Sequence, residues 1–340
     1  MIKVLIVDDS AFMTAAVRHI LSSDAGIEVV GTASDGMDAI GKVKRLKPDV
    51  VLLDIEMPLM DGLTALSYIM AETPAPVVML SGLEEKNASL AVKSLEHGAV
   101  DFIRKPSGTI SYDIGRIRDE IVEKVRIAAT VDVRKMALEL PEESYRLERL
   151  RTATRKSIVV IGASTGGPRA LGKVLSGLRR GVSAAVFVVQ HMSIEFTASF
   201  AERLRWVCPL DISIARDGET VAPGKVFIAA GDSNTAIERG GDGKAVVVTS
   251  VVHATYPSID HTMESAARVY GKEALGVLMT GAGSDGALGM KAIKKAGGAT
   301  IAEDSSTCVV YGMPRAAIEM GVVDEVVPLH GIAEAIMRMV

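Results

Sequence analysis

No apolar run in this chain of 340 residues reaches the roughly 20 consecutive apolar residues that span a bilayer. A transmembrane helix is therefore not expected. The first residues, MIKVLIVDD, lack the separate apolar stretch and small-residue cleavage site of a secretory signal. Cysteine is scarce too: Cys208 and Cys308 are the only two, and they form no spacing for a metal site or a disulfide framework. Together these absences make cytoplasmic residence the expectation, without membrane insertion. A basic excess is also missing. The net charge of −4 divides as −6 over residues 1–125, +2 over 126–155 and zero over 156–340. Neither half carries the positive surplus of a phosphate-backbone binder, and no helix-turn-helix is recognisable, so nucleic acid is not expected as a partner. What is present is an ordinary globular composition, 48% hydrophobic and 24% charged. The length suffices for two domains of about 100–200 residues, each able to bury a core.

In the first part, residues 2–8, 27–33, 49–54, 76–81 and 100–103 are short apolar runs rich in β-branched residues. Between them lie stretches such as SAFMTAAVRHILSS and DGMDAIGKVKRL, whose apolar residues recur at helical spacing. Strands alternating with helices predict a doubly wound parallel sheet, with its ligand crevice beyond the carboxyl ends of the strands. The first run ends in Asp8-Asp9, the third in Asp54 and the fourth in Ser81, and Lys105-Pro106 follow the fifth. Three carboxylates on one rim repel unless a hard cation neutralises them, and Mg²⁺ binds through a few carboxylates plus water and phosphate oxygens. A phosphoryl group is its natural companion. Taken singly, Asp9 or Ser10 reads equally well as a helix N-cap; it is the joint placement that points to chemistry.

With DD, LLDIEMP, a serine after the fourth strand and FIRKP, residues 1 to about 125 resemble the receiver domain of two-component response regulators. The resemblance implies that Asp54 accepts a phosphoryl group from a histidine kinase. It also implies that Asp8, Asp9 and Asp54, with the carbonyl of Glu56, hold Mg²⁺. Lys105 would contact the phosphate, and Ser81 and Phe102 would form the switch pair. Residues 126–155 read as a partly helical connector broken by Pro141, following a last amphipathic receiver helix within IGRIRDEIVEKVRIAATV.

The remainder, 156–340, opens on the strand SIVVIGA, which runs into Ser164-Thr165-Gly166-Gly167-Pro168 and a helical stretch. Pro168 suits a first helical turn, where its missing N–H is not needed. Gly162-Ala163-Ser164-Thr165-Gly166 fits G-x-S-x-G, a strand-to-helix turn that exposes a nucleophilic serine beside backbone N–H groups able to hold an oxyanion. A nucleotide-binding glycine loop would need G-x-G-x-x-G spacing and an acidic residue closing the next strand; both are absent. A serine nucleophile needs a base. Of the six histidines, His191 directly follows AAVFVVQ, a buried-strand run beginning about 20 residues after the serine, and so stands at the carboxyl edge of a neighbouring parallel strand. His253 follows VVVTSVV in what reads as an antiparallel excursion, and His261 lies in a helix start. Asp285, after the strand ALGVLMT, shares the rim and can orient the imidazole; Asp260 and Asp304 are rivals that could instead cap a helix or turn.

Through IGASTGGPRAL, QHM followed by FTASFAERL, PGKVFIA, YPSID, MTGAGSDGALG and VVYGMPRAAIE, residues 156 to about 329 resemble the catalytic domain of the chemotaxis protein-glutamate methylesterases. The family's serine, histidine and aspartate fall on Ser164, His191 and Asp285. Its chemistry implies hydrolysis of γ-glutamyl methyl esters on methyl-accepting chemoreceptors, often with glutamine deamidation, through an acyl-enzyme and without a cofactor. Backbone N–H groups at Thr165 and Ala282 are the expected oxyanion donors. Phosphorylation at Asp54 is expected to relieve a covering of the active-site rim by the receiver. Five positions depart from the family pattern. Ser193-Ile194 replace the prolines after QHM, Ala282 a common methionine, Ser284 an Asn or Asp, and Tyr256 an arginine, which bears on substrate fit. Alternative readings are a phosphorylation-gated scaffold or regulator with little catalysis, and a general carboxylesterase.

Overall fold

The segments Val4–Val7, Val50–Leu53 and Val77–Leu80 are wholly buried, as expected of strands covered by helices on both faces. The computed structural model describes residues 1–82, 85–105, 114–133, 155–251 and 257–340. Pro106, Pro141, His253, Tyr256 and most of the expected connector lie outside them. The chain divides into two compact units, Met1–Glu139 and Leu140–Val340.

In the first unit, β1 (Ile2–Val7), β2 (Ile27–Ala33), β3 (Val50–Asp54), β4 (Val77–Ser81) and β5 (Asp101–Arg104) form one sheet in the order β2-β1-β3-β4-β5, parallel throughout. Helices α1 (Ala11–Ser22), α2 (Gly36–Leu46), α3 (Gly62–Glu72), α4 (Glu85–Ser94) and α5 (Ile114–Ala128) connect or flank the strands. Their starts follow local chemistry: Ser10, Asp35 and Asp61 each accept a hydrogen bond from a first-turn backbone N–H. The register sets the rim. Val7 pairs with Leu53 and Asp54 with Leu80, so the residues beyond those pairs, Asp8, Asp54 and Ser81, meet at the carboxyl ends of three adjacent strands.

In the second unit, β6 (Ile158–Ala163), β7 (Ala185–Gln190), β8 (Asp211–Ile214), β9 (Lys225–Ile228), β12 (Ala274–Leu278), β13 (Ala299–Glu303) and β14 (Glu325–Val327) form a sheet ordered β14-β13-β12-β6-β7-β9-β8. Every neighbouring pair is parallel. The antiparallel excursion is the separate pair β10 (Ser233–Arg239) and β11 (Ala245–Val251). The helices are α6 (Gly167–Ser176), α7 (Ile194–Val207), α8 (Ile259–Tyr270), α9 (Ala287–Lys295), α10 (Met313–Glu319) and α11 (Leu329–Met339). The core runs through Ile158, Val160, Phe187, Val189, Phe227 and Met263, with Phe187 and Phe227 stacked 4.8 Å apart. Each such side chain contributes roughly 1.5–3 kcal/mol by leaving water. Because β6 is central, flanked by β12 and β7, its carboxyl end is where chain crossings leave a crevice. Among the described residues, no helix is long and apolar enough to cross a membrane.

Candidate active site and phosphoacceptor site

On the first rim, Asp8 and Asp54 are buried, 3% exposed each, while Asp9 is exposed. Lys105 is carried to them by the main chain, its N–H donating to Ser81 O at 2.8 Å. Its Nζ lies 2.9 Å from Asp8 Oδ2 and 2.7 Å from Asp54 Oδ2. Burial pushes the Asp54 carboxyl up to about 6 even against the pull of Lys105, and Asp8 adds to the rise. Burial lowers the Lys105 ammonium, but bonds to Asp54 and Asp8 more than restore it, leaving it above the ordinary lysine value.

Asp8, Asp9 and Asp54 each offer an oxygen within 4.8 Å of the others, three negative charges against one ammonium. Asp8 Oδ2 is buried, with the Lys105 ammonium 2.9 Å away as its charge partner. An oxygen-lined, under-neutralised site of this kind fits a hard divalent cation. The Glu56 carboxylate points to Lys86 Nζ at 3.0 Å and Asn87 Nδ2 at 3.4 Å. Ser10 is the N-cap of α1 and its N–H donates to Asp8 Oδ1 at 2.9 Å; Asp9 caps nothing among the described contacts. Ser81 is fully buried and its hydroxyl donates to Gly82 O. Phe102 is buried, with Lys124 Nζ 5.4 Å from its ring centre. It pairs in register with Met79, two residues before the Ser81–Arg104 pair.

On the second rim, β6 and β7 end their ladder at Ala163 and Gln190, and His191 N–H adds a last rung to Ala163 O at 3.0 Å. Ser164 and His191 therefore leave adjacent strands side by side. Ser164 N–H donates to Thr280 O at 2.9 Å, and Ser164 O accepts from Gly167 N–H at 2.7 Å, closing the turn into α6. Gly166 in that turn has φ +80°, and a Cβ there would come within 2.6 Å of Val309. Thr280, beyond β12, donates its hydroxyl to Thr165 O at 2.9 Å and accepts from Val310 N–H at 3.0 Å. Gly281 comes next; a Cβ on it would stand 2.7 Å from Ser164 Cβ and 2.4 Å from Met313 Sδ. Only glycine lets this loop approach the serine so closely. Ala282 follows directly, half-buried, then Gly283 and Gly286 with φ +80° and +92°.

Asp285 faces His191, with Nε2 2.8 Å from Oδ2. The same carboxylate accepts from Ile259 N–H at 2.8 Å, Asp260 N–H at 3.0 Å, Gly286 N–H at 3.0 Å and the Ser258 hydroxyl at 3.2 Å. It thus sits on the N-terminus of α8, where backbone N–H groups and the helix dipole favour an anion. Burial alone would raise its pKa, but His191 and these backbone donors outweigh burial and hold it down at about 2. The rivals have other employment. Asp260 accepts from Gly289 N–H at 2.6 Å, in the first turn of α9, and Asp304 accepts from Ser306 N–H at 2.8 Å in a turn. Ser284 is exposed, and Ser193 is the N-cap of α7.

Comparisons with known proteins identify the family. A family model described as CheB methylesterase matches residues 159–336, and one described as response regulator receiver domain matches residues 4–111. The chain belongs to the CheB methylesterase family. It is 44% identical to a Pyrococcus abyssi protein named protein-glutamate methylesterase/protein-glutamine glutaminase, over 100% of this chain and 94% of that one. A Symbiobacterium thermophilum protein of the same name is 46% identical over 100% of this chain and 97% of its own length. The crystal structure of the Thermotoga maritima CheB methylesterase catalytic domain superposes with a TM-score of 0.52 at 41% identity, covering 54% of this chain and 99% of that one.

Three further groups, marked by no motif or spacing, frame the site. Gln190 and Thr280 hold the serine turn, and Glu303, fully buried at the end of β13, accepts from Thr280 N–H at 2.9 Å and the Thr307 hydroxyl at 3.0 Å. The available signal was a polar residue at the end of a mostly apolar run: Gln190 closes β7, Glu303 closes β13 and Thr280 lies two residues past β12.

Proposed function

We propose that the chain is a phosphorylation-activated protein-glutamate methylesterase and protein-glutamine glutaminase acting on chemoreceptors, with residues 1–125 as receiver, 126–155 as connector and 156–340 as catalytic domain. The observation that carries the reading is the 2.8 Å pairing of His191 Nε2 with Asp285 on the rim where Ser164 leaves β6. A carboxylate at Nε2 selects the tautomer protonated there, so Nδ1 keeps the lone pair of a general base. In the serine-protease template the carboxylate faces Nδ1; the roles need one nitrogen for each partner, in either order.

In the reaction, His191 Nδ1 takes the proton of Ser164 Oγ as the oxygen attacks the γ-carbonyl carbon of a glutamyl methyl ester. The N–H groups of Thr165 and Ala282 hold the oxyanion, at a few kcal/mol per donor. Collapse breaks the bond to the methoxy group, which leaves as methanol with the proton from His191. Water then gives a proton to His191 and attacks the acyl-serine, releasing glutamate and restoring Ser164. With glutamine the leaving group is ammonia. The chemistry draws on protein groups and water, without a cofactor. In the receiver, Asp54 attacks the phosphorus of a kinase phosphohistidine, and Lys105 binds the transferred oxygens. Asp8, Asp9, Asp54 and the Glu56 carbonyl would hold Mg²⁺, which would supply charge neutralisation when bound, and Ser81 and Phe102 relay the new state. The cytoplasm is the compartment that holds both kinase and receptor tails.

Rapid quenching of the enzyme with a methylated receptor, followed by peptide mass analysis, tests the nucleophile. A glutamyl adduct on Ser164 is the expected result; an adduct elsewhere, or none during turnover, overturns the assignment.

A further inference from the structure

Beyond the rung from His191 N–H to Ala163 O the two strands part, Ser164 into the turn toward α6 and His191 toward α7. Something must then fix the distance between the two. Gln190, the last residue of β7, is buried at 3% exposure. Its Nε2 donates to Ser164 O at 2.9 Å and to His191 O at 3.1 Å. Both neighbours are carbonyl oxygens, so only the NH₂ end of the amide can face them. The other end, Oε1, is buried without a hydrogen-bond partner. It occupies the space a side chain on residue 167 would take, since a Cβ there would stand 2.1 Å away. An unpaired buried acceptor is unfavourable, so the side chain is held in place by the two bonds at its nitrogen.

We propose that Gln190 is a positioning residue for acyl transfer, a single amide nitrogen that ties the backbone of Ser164 to that of His191 and so sets the reach from Oγ to the imidazole. The inference rests on the roles of Ser164 and His191 given above. It also accounts for Gly167: a larger residue there would displace the amide.

The test uses the full chain and methanol release from methylated receptor, with kcat and KM separated and thermal unfolding followed in parallel. Gln190→Met keeps the length and volume but removes the donor. It is expected to lower kcat about 10–100-fold, in line with a misplacement of about 1 Å, with KM within about twofold and unfolding little changed. Gln190→Glu supplies the second reading. As a neutral acid it can donate one O–H to these carbonyls; as a carboxylate it repels both. Its kcat relative to wild type is therefore expected to be highest near pH 6 and to fall at least about tenfold by pH 9. If Gln190→Met retains wild-type kcat, or the Gln190→Glu ratio is flat with pH, the proposal is overturned. Should Gln190→Met not fold, the Gln190→Glu ratio decides. Ser164→Ala separates the two readings: an inactive Ser164→Ala beside a fully active Gln190→Met overturns only the role of Gln190, whereas a fully active Ser164→Ala overturns both.

Discussion

At the scale of single residues, the site places two carboxyl groups, one half-buried and one fully buried, in opposite electrostatic settings. Asp285 is held down at about 2 by His191 and by backbone N–H groups despite its burial, so it remains an acceptor throughout the working range. Asp285→Asn keeps the shape but presents an NH₂ that favours the wrong imidazole tautomer. We expect kcat to fall by about 10⁴-fold with KM little changed, which steady-state methanol release will measure. Glu303 lies at the other extreme, pushed up to about 7 by complete burial, with the Thr280 N–H, Thr307 and Cys308 opposing and Asp304 adding to the rise. A folded value above the ordinary 4.5 means that the neutral acid is the form folding favours. Stability from this group is thus fully present below about pH 4.5 and lost as pH rises through 7. Glu303→Gln should unfold with wild type at pH 5. By pH 8.5 the wild-type penalty is on the order of 3 kcal/mol, so the variant should unfold several degrees higher. A melting-temperature difference independent of pH would contradict this.

Legibility at this scale followed the kind of contact. Ser164, His191 and Asp285 stand out as candidates in the sequence because each closes an apolar strand or sits in a glycine-rich loop after one. Preferring Asp285 to Asp260 and Asp304 was harder, since all three lie near helix starts or turns and only the fold shows which one meets His191. Gln190 sat in plain view beside His191, yet its part depends on where Ser164 O points, which no spacing reveals.

At the scale of elements, both rims are built by strand ends and by loops that press on them without side chains. A Cβ on Gly62, at the start of α3, would stand 1.9 Å from Asp54 O. Gly62→Ala must therefore push α3 away from β3 or move Asp54, and we expect a loss of roughly 1–3 kcal/mol with slower phosphorylation from a small-molecule phosphodonor. In the catalytic half, Gly281→Ala is expected to displace Ser164, lowering kcat more than it raises KM. The order of strands and helices was readable because buried parallel strands appear as short continuous apolar runs. Exact ends were less so: Asp8 and Asp9 lie just past β1, whose last paired residue is Val7, although Asp8 N–H still donates to Ala33 O at 3.0 Å. Strands β8 and β9 are only four residues each, too short to declare a period.

At the scale of the whole molecule, two doubly wound units were foreseeable from length, alternation of elements and two separate sets of strand-end polar residues. The acidic surplus of the first half has a local cause in part, the carboxylates around Asp54, while the neutral second half presents a hydrolytic rim. Their pairing in one chain makes sense if a phosphoryl group on one controls ester hydrolysis on the other. The decisive measurement is methanol release from methylated receptor by the full chain, with and without a phosphodonor, for wild type, Ser164→Ala and Asp54→Asn. The account predicts stimulated release by wild type, at least about a 10³-fold loss in Ser164→Ala under either condition, and unstimulated basal release by Asp54→Asn. Undiminished release by Ser164→Ala, or full stimulation of Asp54→Asn, would contradict it.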